Sequence, residues 1–446
     1  MESNNIKSFS VFGLFGTNDV NISFDKNKMI LIGENGLGKT QILNLLHYTL
    51  TKNFFRLNDF NFEKLILVFD NGEIEIKKTD INKSIEKLYK EPEVGHFIKE
   101  FGFAQFEFFS KKFNQNKRNS YEFERTLDGN SKYRKYPIHR LFRYFEDFKK
   151  ETKFDSSFKE LNLKIENGIG KSEIMYFPTY RRVEEDLHSL GYDEDEFLEE
   201  DTTLIQFGMD DVQRKFTQLE TKIDRLLKEG LAQFTKDVLN IVIDDNKSNN
   251  DVLERTSEED INLILSRVGS LISDNQKDSI KNFVIGKKVN NQLSIHLLNK
   301  LVESYEKQKP LDKLIKIYQD VCNKYLINKE IFYDESNIKI YIKSKITNDK
   351  IDLKNLSSGE KQIISIFSRV YLSSEEKRFI VLFDEPELSL SMIWQKELLP
   401  DIVNSKKCQF LLAVTHSPFI FDNELRDYAV GLNEYYSLSK VLKNEY

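Results

Sequence analysis

The fold of this 446-residue chain is decided by the stretch Met29-Ile30-Leu31-Ile32-Gly33-Glu34-Asn35-Gly36-Leu37-Gly38-Lys39-Thr40. A short apolar run enters a glycine-rich loop of the pattern G-x-x-x-x-G-K-[ST], and apolar residues at helical spacing follow. In this context backbone N–H groups and a helix N-terminus face bound phosphates. Lys39 is predicted to supply a cation to the β- and γ-phosphates, and Thr40 to ligate Mg²⁺. The predicted nucleotide-binding residues of the loop are Gly33, Asn35, Gly36, Gly38, Lys39 and Thr40.

A second signal stands near the C-terminus, where the wholly apolar run 379–383 ends in Asp384 and Glu385. An unbroken apolar run of this length is typical of a strand buried on both faces. Asp384 is predicted to hold Mg²⁺, and Glu385 to act as the general base that polarises the attacking water. The alternative is an acidic exit from a strand into a turn, without a metal.

Two further motifs flank this acidic strand. Ser357 and Gly359, in Leu356-Ser357-Ser358-Gly359-Glu360, suit a second phosphate clamp at the start of a helix. Such a clamp is useful if it covers the other side of the nucleotide, typically from a second subunit. The alternative is an ordinary serine cap with Glu360 in the first turn. His416 follows the buried run 410–414 and is predicted to sense the γ-phosphate, whereas a purely structural histidine is the alternative.

Taken together, these motifs resemble the ABC-type ATPases of the SMC, Rad50 and RecF class. The resemblance implies an α/β fold: a P-loop ATPase head with a mixed β-sheet and flanking helices, assembled from both chain ends. It further implies that two heads sandwich two ATP molecules, with Mg²⁺ at each. The matched residues are Lys39 and Thr40 for the phosphate loop, Ser357 and Gly359 for the signature, Asp384 and Glu385 for the metal and base, and His416 for the switch histidine.

The chain departs from this family pattern in three places. Ser358 replaces the first glycine of the signature. After the acidic pair the chain reads Leu390-Ser391-Met392, where related single-chain ATPases often read Leu-His-Pro. The glutamine that couples the two lobes of the family is not identified, and Gln105 and Gln206 are the candidates. At Leu390-Ser391-Met392 the usual aspartate of the inter-subunit loop is missing, which weakens the expectation of signalling between subunits.

The pattern of periodicities predicts three regions. Residues 1–80 form an N-terminal lobe of the ATPase head, and residues 336–446 form a C-terminal lobe. Residues 81–335 form a large, mainly α-helical insertion, in which a strand near 173–177 is a candidate to join the head. A long amphipathic helix is predicted at 212–242, from the spacing of its apolar residues.

Composition narrows the class of protein. The net charge is −6 and the mean hydropathy is −0.50, and no apolar run reaches the roughly 20 residues of a membrane span. With two cysteines and no visible secretory leader, a cytoplasmic protein without membrane attachment is expected. Basic residues at 132–143, and Arg181 with Arg182, suit nucleic-acid contact or, alternatively, an amphipathic helix and a solvated pair.

The length of the chain and of its insertion resembles the ATPase subunits of two-gene bacterial anti-phage systems of the PARIS and Septu types. Residues 176–184 and 206–211 look like segments from that group. The resemblance implies a homo-oligomer, a dimer or a multiple of dimers, that controls a separate nuclease effector and responds to a phage protein or nucleic acid. Turnover in such a role is slow and regulatory.

Two alternative functions use the same motifs. The first is a DNA-repair or chromosome-maintenance ATPase of the RecF or Rad50 type that acts directly on DNA, which a long coiled coil would favour. The second is a transporter subunit, which is disfavoured because over 300 residues separate the phosphate loop from the signature.

Overall fold

The computed structural model describes residues 5–24, 26–34, 36–54, 56–90, 152–179, 208–243, 257–267 and 292–438. The chain forms two compact units. The first combines Met1–Ile205 with Glu376–Tyr446, and the second is Gln206–Glu375. These bounds differ from the domain boundaries predicted at 80 and 335. Residues 81–205 are grouped with the first unit, and residues 336–375 with the second.

A parallel sheet forms the centre of the first unit. Its five strands run in the order β12-β3-β11-β10-β6, and every neighbouring pair is parallel. The middle strands β10 and β11 are buried over most of their length, as their unbroken apolar sequences require. The strands are β3 (Lys28–Ile32), β6 (Glu173–Phe177), β10 (Phe379–Asp384), β11 (Cys408–Thr415) and β12 (Ala429–Gly431).

A second, antiparallel sheet belongs to the same unit. Its strand order is β13-β2-β1-β4-β5, and a tight turn at Asp70 and Asn71 joins β4 to β5. In β1 and β4, buried side chains alternate with half-buried ones, so one face packs into the core. They are β1 (Ile6–Leu14), β2 (Asn18–Ser23), β4 (Lys64–Phe69), β5 (Gly72–Lys77) and β13 (Tyr436–Leu438).

Helix α1 (Lys39–Leu50) packs its apolar side chains into a core shared with both sheets. Ile42, Leu45 and Leu46 are at most 1% exposed, so the helix that follows the phosphate loop is fixed along its length. The other helices of this unit are α2 (Lys78–Lys90), α3 (Thr152–Ile169) and α9 (Met392–Asn404). The predicted α/β class is confirmed.

The second unit is mainly helical, with one small antiparallel sheet. The sheet joins β7 (Lys329–Asp334), β8 (Lys339–Ser344) and β9 (Lys350–Ile351). Strand β7 lies in a stretch that was predicted to be helical. The long helix expected at 212–242 is present as α4. The helices are α4 (Met209–Ile243), α5 (Glu258–Arg267), α6 (Gln292–Glu306), α7 (Lys309–Asn323) and α8 (Ser358–Tyr371).

A buried ion pair ties three elements of the second unit together. Arg267 of α5 donates to Asp312 of α7 at 2.8 Å, and their side chains are 1% and 4% exposed. Tyr333 of β7 donates to the same carboxylate oxygen at 2.5 Å. Burial and the nearby Asp312 raise the pKa of Tyr333 above its usual range, so it stays a neutral donor. Within the described ranges, none of the helices combines the length and apolar character that a membrane crossing requires.

Candidate nucleotide site

The candidate site lies at one edge of the parallel sheet, where four neighbouring strands end. The phosphate loop follows β3, Asp384 ends β10, His416 follows β11, and Thr179 follows β6 by two residues. Because parallel strands end on the same side of a sheet, segments far apart in sequence meet there. Ligand sites of open α/β sheets form at this edge.

The phosphate loop has the backbone that its glycines predict. Gly36 and Gly38 have φ of +88° and +76°, in the left-handed region that favours glycine. A Cβ atom on Gly38 would also lie 2.9 Å from the ring of Phe15. Helix α1 begins directly after Gly38 without a side-chain cap or an acidic residue in its first turn. Its first N–H groups are therefore suited to an anion.

Lys39 projects into the site and is 5% exposed. Its Nζ donates to the carbonyl oxygens of Gly33 at 2.7 Å and Glu34 at 3.0 Å. It also lies 2.7 Å from Nε2 of His416. Burial lowers the pKa of the Lys39 ammonium, and the surrounding carboxylates oppose this shift. The structure thus brings the predicted cation and the predicted γ-phosphate sensor into direct contact.

Asp384 is 1% exposed and is bound through both carboxylate oxygens. Thr40 Oγ1 donates to Oδ1 at 2.9 Å, and Thr179 Oγ1 donates to Oδ2 at 2.7 Å. Carboxylate and hydroxyl oxygens are ligands that Mg²⁺ accepts, and nucleotide sites typically supply one or two carboxylates, with phosphates and water completing the shell. Within the described part of the chain no group of three or more acidic, His or Cys residues is placed to hold a metal ion by itself. Thr40 and Asp384 fit Mg²⁺ as two of its ligands, with phosphates and water in the remaining positions.

Glu385 has a strained backbone and a perturbed carboxylate. Its φ is +49°, which for a residue other than glycine is uncommon and concentrates at functional sites. Its side chain is 27% exposed, and Oε1 lies 3.8 Å from Nε2 of His416. Burial first, and then the carboxylates of Asp384 and Glu387, raise the pKa of Glu385. A raised pKa makes this carboxylate a stronger base.

Glu387 has a role that the sequence did not reveal. Its carboxylate accepts hydrogen bonds from Thr415 Oγ1 at 2.8 Å, from the backbone N–H of His416 at 2.8 Å, and from that of Ser417 at 3.2 Å. These bonds join the loop after β10 to the loop after β11. Glu387 therefore positions His416 beside Lys39. The signal is a third acidic residue in Asp384-Glu385-Pro386-Glu387, but its partners lie about 30 residues away.

Ser357 and Gly359 belong to the second unit, at the start of α8. Ser357 Oγ accepts from the N–H of Glu360 at 3.3 Å, and the Glu360 carboxylate accepts from the N–H of Ser357 at 2.8 Å. Lys329 holds that carboxylate at 2.8 Å. The ordinary helix cap is thus present. Because the Ser357 hydroxyl only accepts in this contact, its proton can still be donated to a phosphate, and the clamp stays a prediction.

Several predicted residues lie outside the described residues. They are Asn35 of the phosphate loop, the lobe-coupling candidates Gln105 and Gln206, the basic stretch 132–143, and the pair Arg181 and Arg182.

The chain is similar to several known proteins. A solved Smc head domain with an extended coiled coil, from Pyrococcus furiosus, aligns over 99% of this chain and 98% of that chain, at 10% identity and a TM-score of 0.35. An Smc head domain from Pyrococcus yayanosii aligns over 94% and 93%, at 13% identity and a TM-score of 0.32. The xylose/arabinose import ATP-binding protein XylG of Sulfolobus acidocaldarius is 28% identical over 110 residues. This match spans 24% of the chain and 42% of that relative, so it covers less than half of the relative.

The family is defined by a match that covers nearly the whole chain. Residues 5–421 match the family described as AAA ATPase domain, and the chain belongs to this family. The description of this family names an ATPase domain.

Proposed function

We propose that the chain is an ABC-type ATPase head that binds and hydrolyses Mg²⁺-ATP and dimerises around the nucleotide. One observation carries this proposal: residues from two distant segments of the chain meet at one edge of the parallel sheet, although Thr40 and Asp384 are 344 positions apart in sequence. The residues that meet there are Lys39, Thr40, Asp384, Glu385 and His416. Each has the side chain that phosphoryl transfer requires at that place. A purely structural set of residues would not need a cation, two carboxylates and a histidine together.

Each residue has a distinct role in this proposal. The phosphate loop and Lys39 hold the β- and γ-phosphates, with Gly33, Gly36 and Gly38 shaping the loop. Thr40 and Asp384 hold Mg²⁺, which neutralises phosphate charge when bound. Glu385 takes the proton of the water that attacks the γ-phosphorus, while the bond to the bridging oxygen breaks and ADP leaves. Glu387 accepts a hydrogen bond from the backbone N–H of His416, and the side chain of His416 senses the γ-phosphate.

The dimer is proposed from the position of the signature. Ser357 and Gly359 belong to a different compact unit from Lys39 and Asp384, and in the resembling class the signature acts on the nucleotide of the partner. We expect that a mixture of Lys39→Ala and Ser357→Ala chains regains up to about a quarter of the wild-type ATPase rate, because a random dimer can place two intact half-sites together. Steady-state phosphate release from separately purified and then mixed chains measures this.

The matched control for this experiment is Ser374→Ala, which changes an exposed serine of the same unit. It should keep full activity alone. If the mixture shows no more activity than either mutant alone, while both mutants are folded and exchange subunits, composite sites between chains are ruled out.

We propose further that this ATPase is the sensor and scaffold of an anti-phage complex that controls a separate nuclease. The support is the resemblance of chain length and insertion to the ATPase subunits of two-gene defence systems. We expect the native, tagged chain to co-purify with a nuclease when ATP and Mg²⁺ are present. Mass spectrometry of the pull-down identifies the partner, and a Lys39→Ala bait is the control. Recovery of DNA-repair proteins and DNA, without a nuclease of a defence pair, would favour the chromosome-maintenance alternative.

A further inference from the structure

The Asp384 carboxylate is held between two threonine hydroxyls. Thr40, from the start of α1, binds one oxygen, and Thr179, from the segment after β6, binds the other. The carboxylate is buried at the end of β10, with an exposed fraction of 1%. Thr40 belongs to the phosphate-loop motif, whereas Thr179 lies in the segment 176–184, to which the sequence analysis gave no role in the nucleotide site.

The core fixes the place of Thr179. Strand β6 pairs with β10 in parallel register, with Phe177 opposite Phe383. The rings of these two residues stack at a centroid distance of 4.6 Å and an angle of 18°. Pro178 follows, and its ring restricts the backbone just before Thr179. The hydroxyl is therefore set at the sheet edge by the same packing that aligns the two strands.

The chemistry of a hydroxyl makes this position useful. A hydroxyl has one proton and two lone pairs, and Thr179 gives its proton to Asp384. Its lone pairs stay available to accept from water. The bond also sets the rotation of the carboxylate, because Oδ1 is already engaged by Thr40. Partners that orient a metal-binding carboxylate typically change metal affinity 10–100-fold when they are removed.

We propose that Thr179 is a positioning residue of the Mg²⁺ site: by donating to Asp384 Oδ2 it fixes the orientation of the carboxylate and sets the Mg²⁺ affinity of the nucleotide-bound protein. This inference rests on the proposed function, which assigns Asp384 to Mg²⁺. Thr179 acts through Asp384 and does not need to touch the nucleotide.

The test compares two substitutions that differ in the hydroxyl. Thr179→Val keeps the shape of the side chain and removes the hydroxyl, whereas Thr179→Ser keeps it. Binding of a fluorescent, non-hydrolysable ATP analogue to the full chain is measured as Mg²⁺ is titrated. We expect Thr179→Val to raise the Mg²⁺ midpoint by roughly 10-fold or more. Its affinity for the analogue in EDTA should equal that of wild type, and Thr179→Ser should lie within about 3-fold of wild type in both conditions.

Three results would overturn the inference: an unchanged Mg²⁺ midpoint in Thr179→Val, an equal loss of binding with and without Mg²⁺, or a Thr179→Ser midpoint as high as that of the valine variant. Thr179→Ala, which also lacks the hydroxyl, takes the place of Thr179→Val if the latter does not fold by circular dichroism. Failure of the proposed function has a different signature, because the wild type itself would then show no Mg²⁺-dependent binding. A wild type that binds normally beside an unshifted Thr179→Val removes only the role of Thr179.

Discussion

Replacing Lys39 with alanine is expected to weaken ATP binding by about 100-fold or more. The ammonium is the one side-chain cation that the described part of the first unit places within the phosphate loop, and it already donates to the loop carbonyls of Gly33 and Glu34. Hydrogen bonds to charged groups contribute about 1.5–3 kcal/mol each, and each 1.4 kcal/mol is tenfold in affinity. Loss of this charge beside two bound phosphates therefore removes about 3 kcal/mol of the binding free energy, which corresponds to about 100-fold in affinity. Titration with a fluorescent ATP analogue measures the effect.

Two controls separate binding from folding in the Lys39 experiment. Lys171→Ala removes an exposed lysine of the same unit and should bind ATP as wild type does. Lys39→Met keeps the aliphatic stem in the buried site without its charge, and should lose binding as alanine does. Wild-type affinity in a folded Lys39→Met chain would refute the assignment of the phosphate loop.

Replacing Glu385 with glutamine is expected to lower kcat by roughly 10²–10³-fold while ATP still binds. A positioned general base typically contributes 10²–10⁴-fold, and an amide cannot take the proton of the attacking water. The substitution keeps the size of the side chain and removes a partly buried negative charge beside the carboxylates of Asp384 and Glu387. Affinity for ATP should therefore be equal or tighter. We also expect the variant to accumulate as an ATP-bound dimer, which light scattering after size-exclusion chromatography detects.

The control for Glu385 is Glu397→Gln, a neutralised and exposed acid on α9. It should hydrolyse ATP at the wild-type rate and show no ATP-dependent dimer accumulation. A Glu385→Gln chain that turns over normally would exclude Glu385 as the base.

Sequence patterns predicted those parts of the site in which the residues are neighbours in the sequence. The phosphate loop lies directly between β3 and α1 in the sequence. The order of these three segments was therefore enough to predict the strand, the glycine turns and the position of Lys39. The apolar runs of β10 and β11 likewise showed that Asp384 and His416 end buried strands. The S-x-x-E pattern at Ser357 predicted a helix cap, and the structure has it.

The residues that were missed depend on which strands are neighbours. Thr179 reaches Asp384 across 205 residues of sequence, and only the pairing of β6 with β10 makes that contact. Glu387 meets His416 because β10 lies beside β11. Sequence periodicity indicates that a strand is buried but not which strand it adjoins, so neither contact was predictable. The division into two units also depends on contacts that periodicity does not report.

The order of strands in the parallel sheet constrains how the protein is made. On the ribosome, β3 and the phosphate loop emerge before β6, whereas β10 and β11, which separate β3 from β6 in the sheet, emerge after both. At about 5–20 residues per second, Asp384 is synthesised on the order of 20 to 70 s after Thr40. Until then the strand edges of β3 and β6 have no partner between them, and unpaired edges invite association with other chains. A nascent chain therefore cannot complete its own nucleotide site until β10 and β11 have both been synthesised.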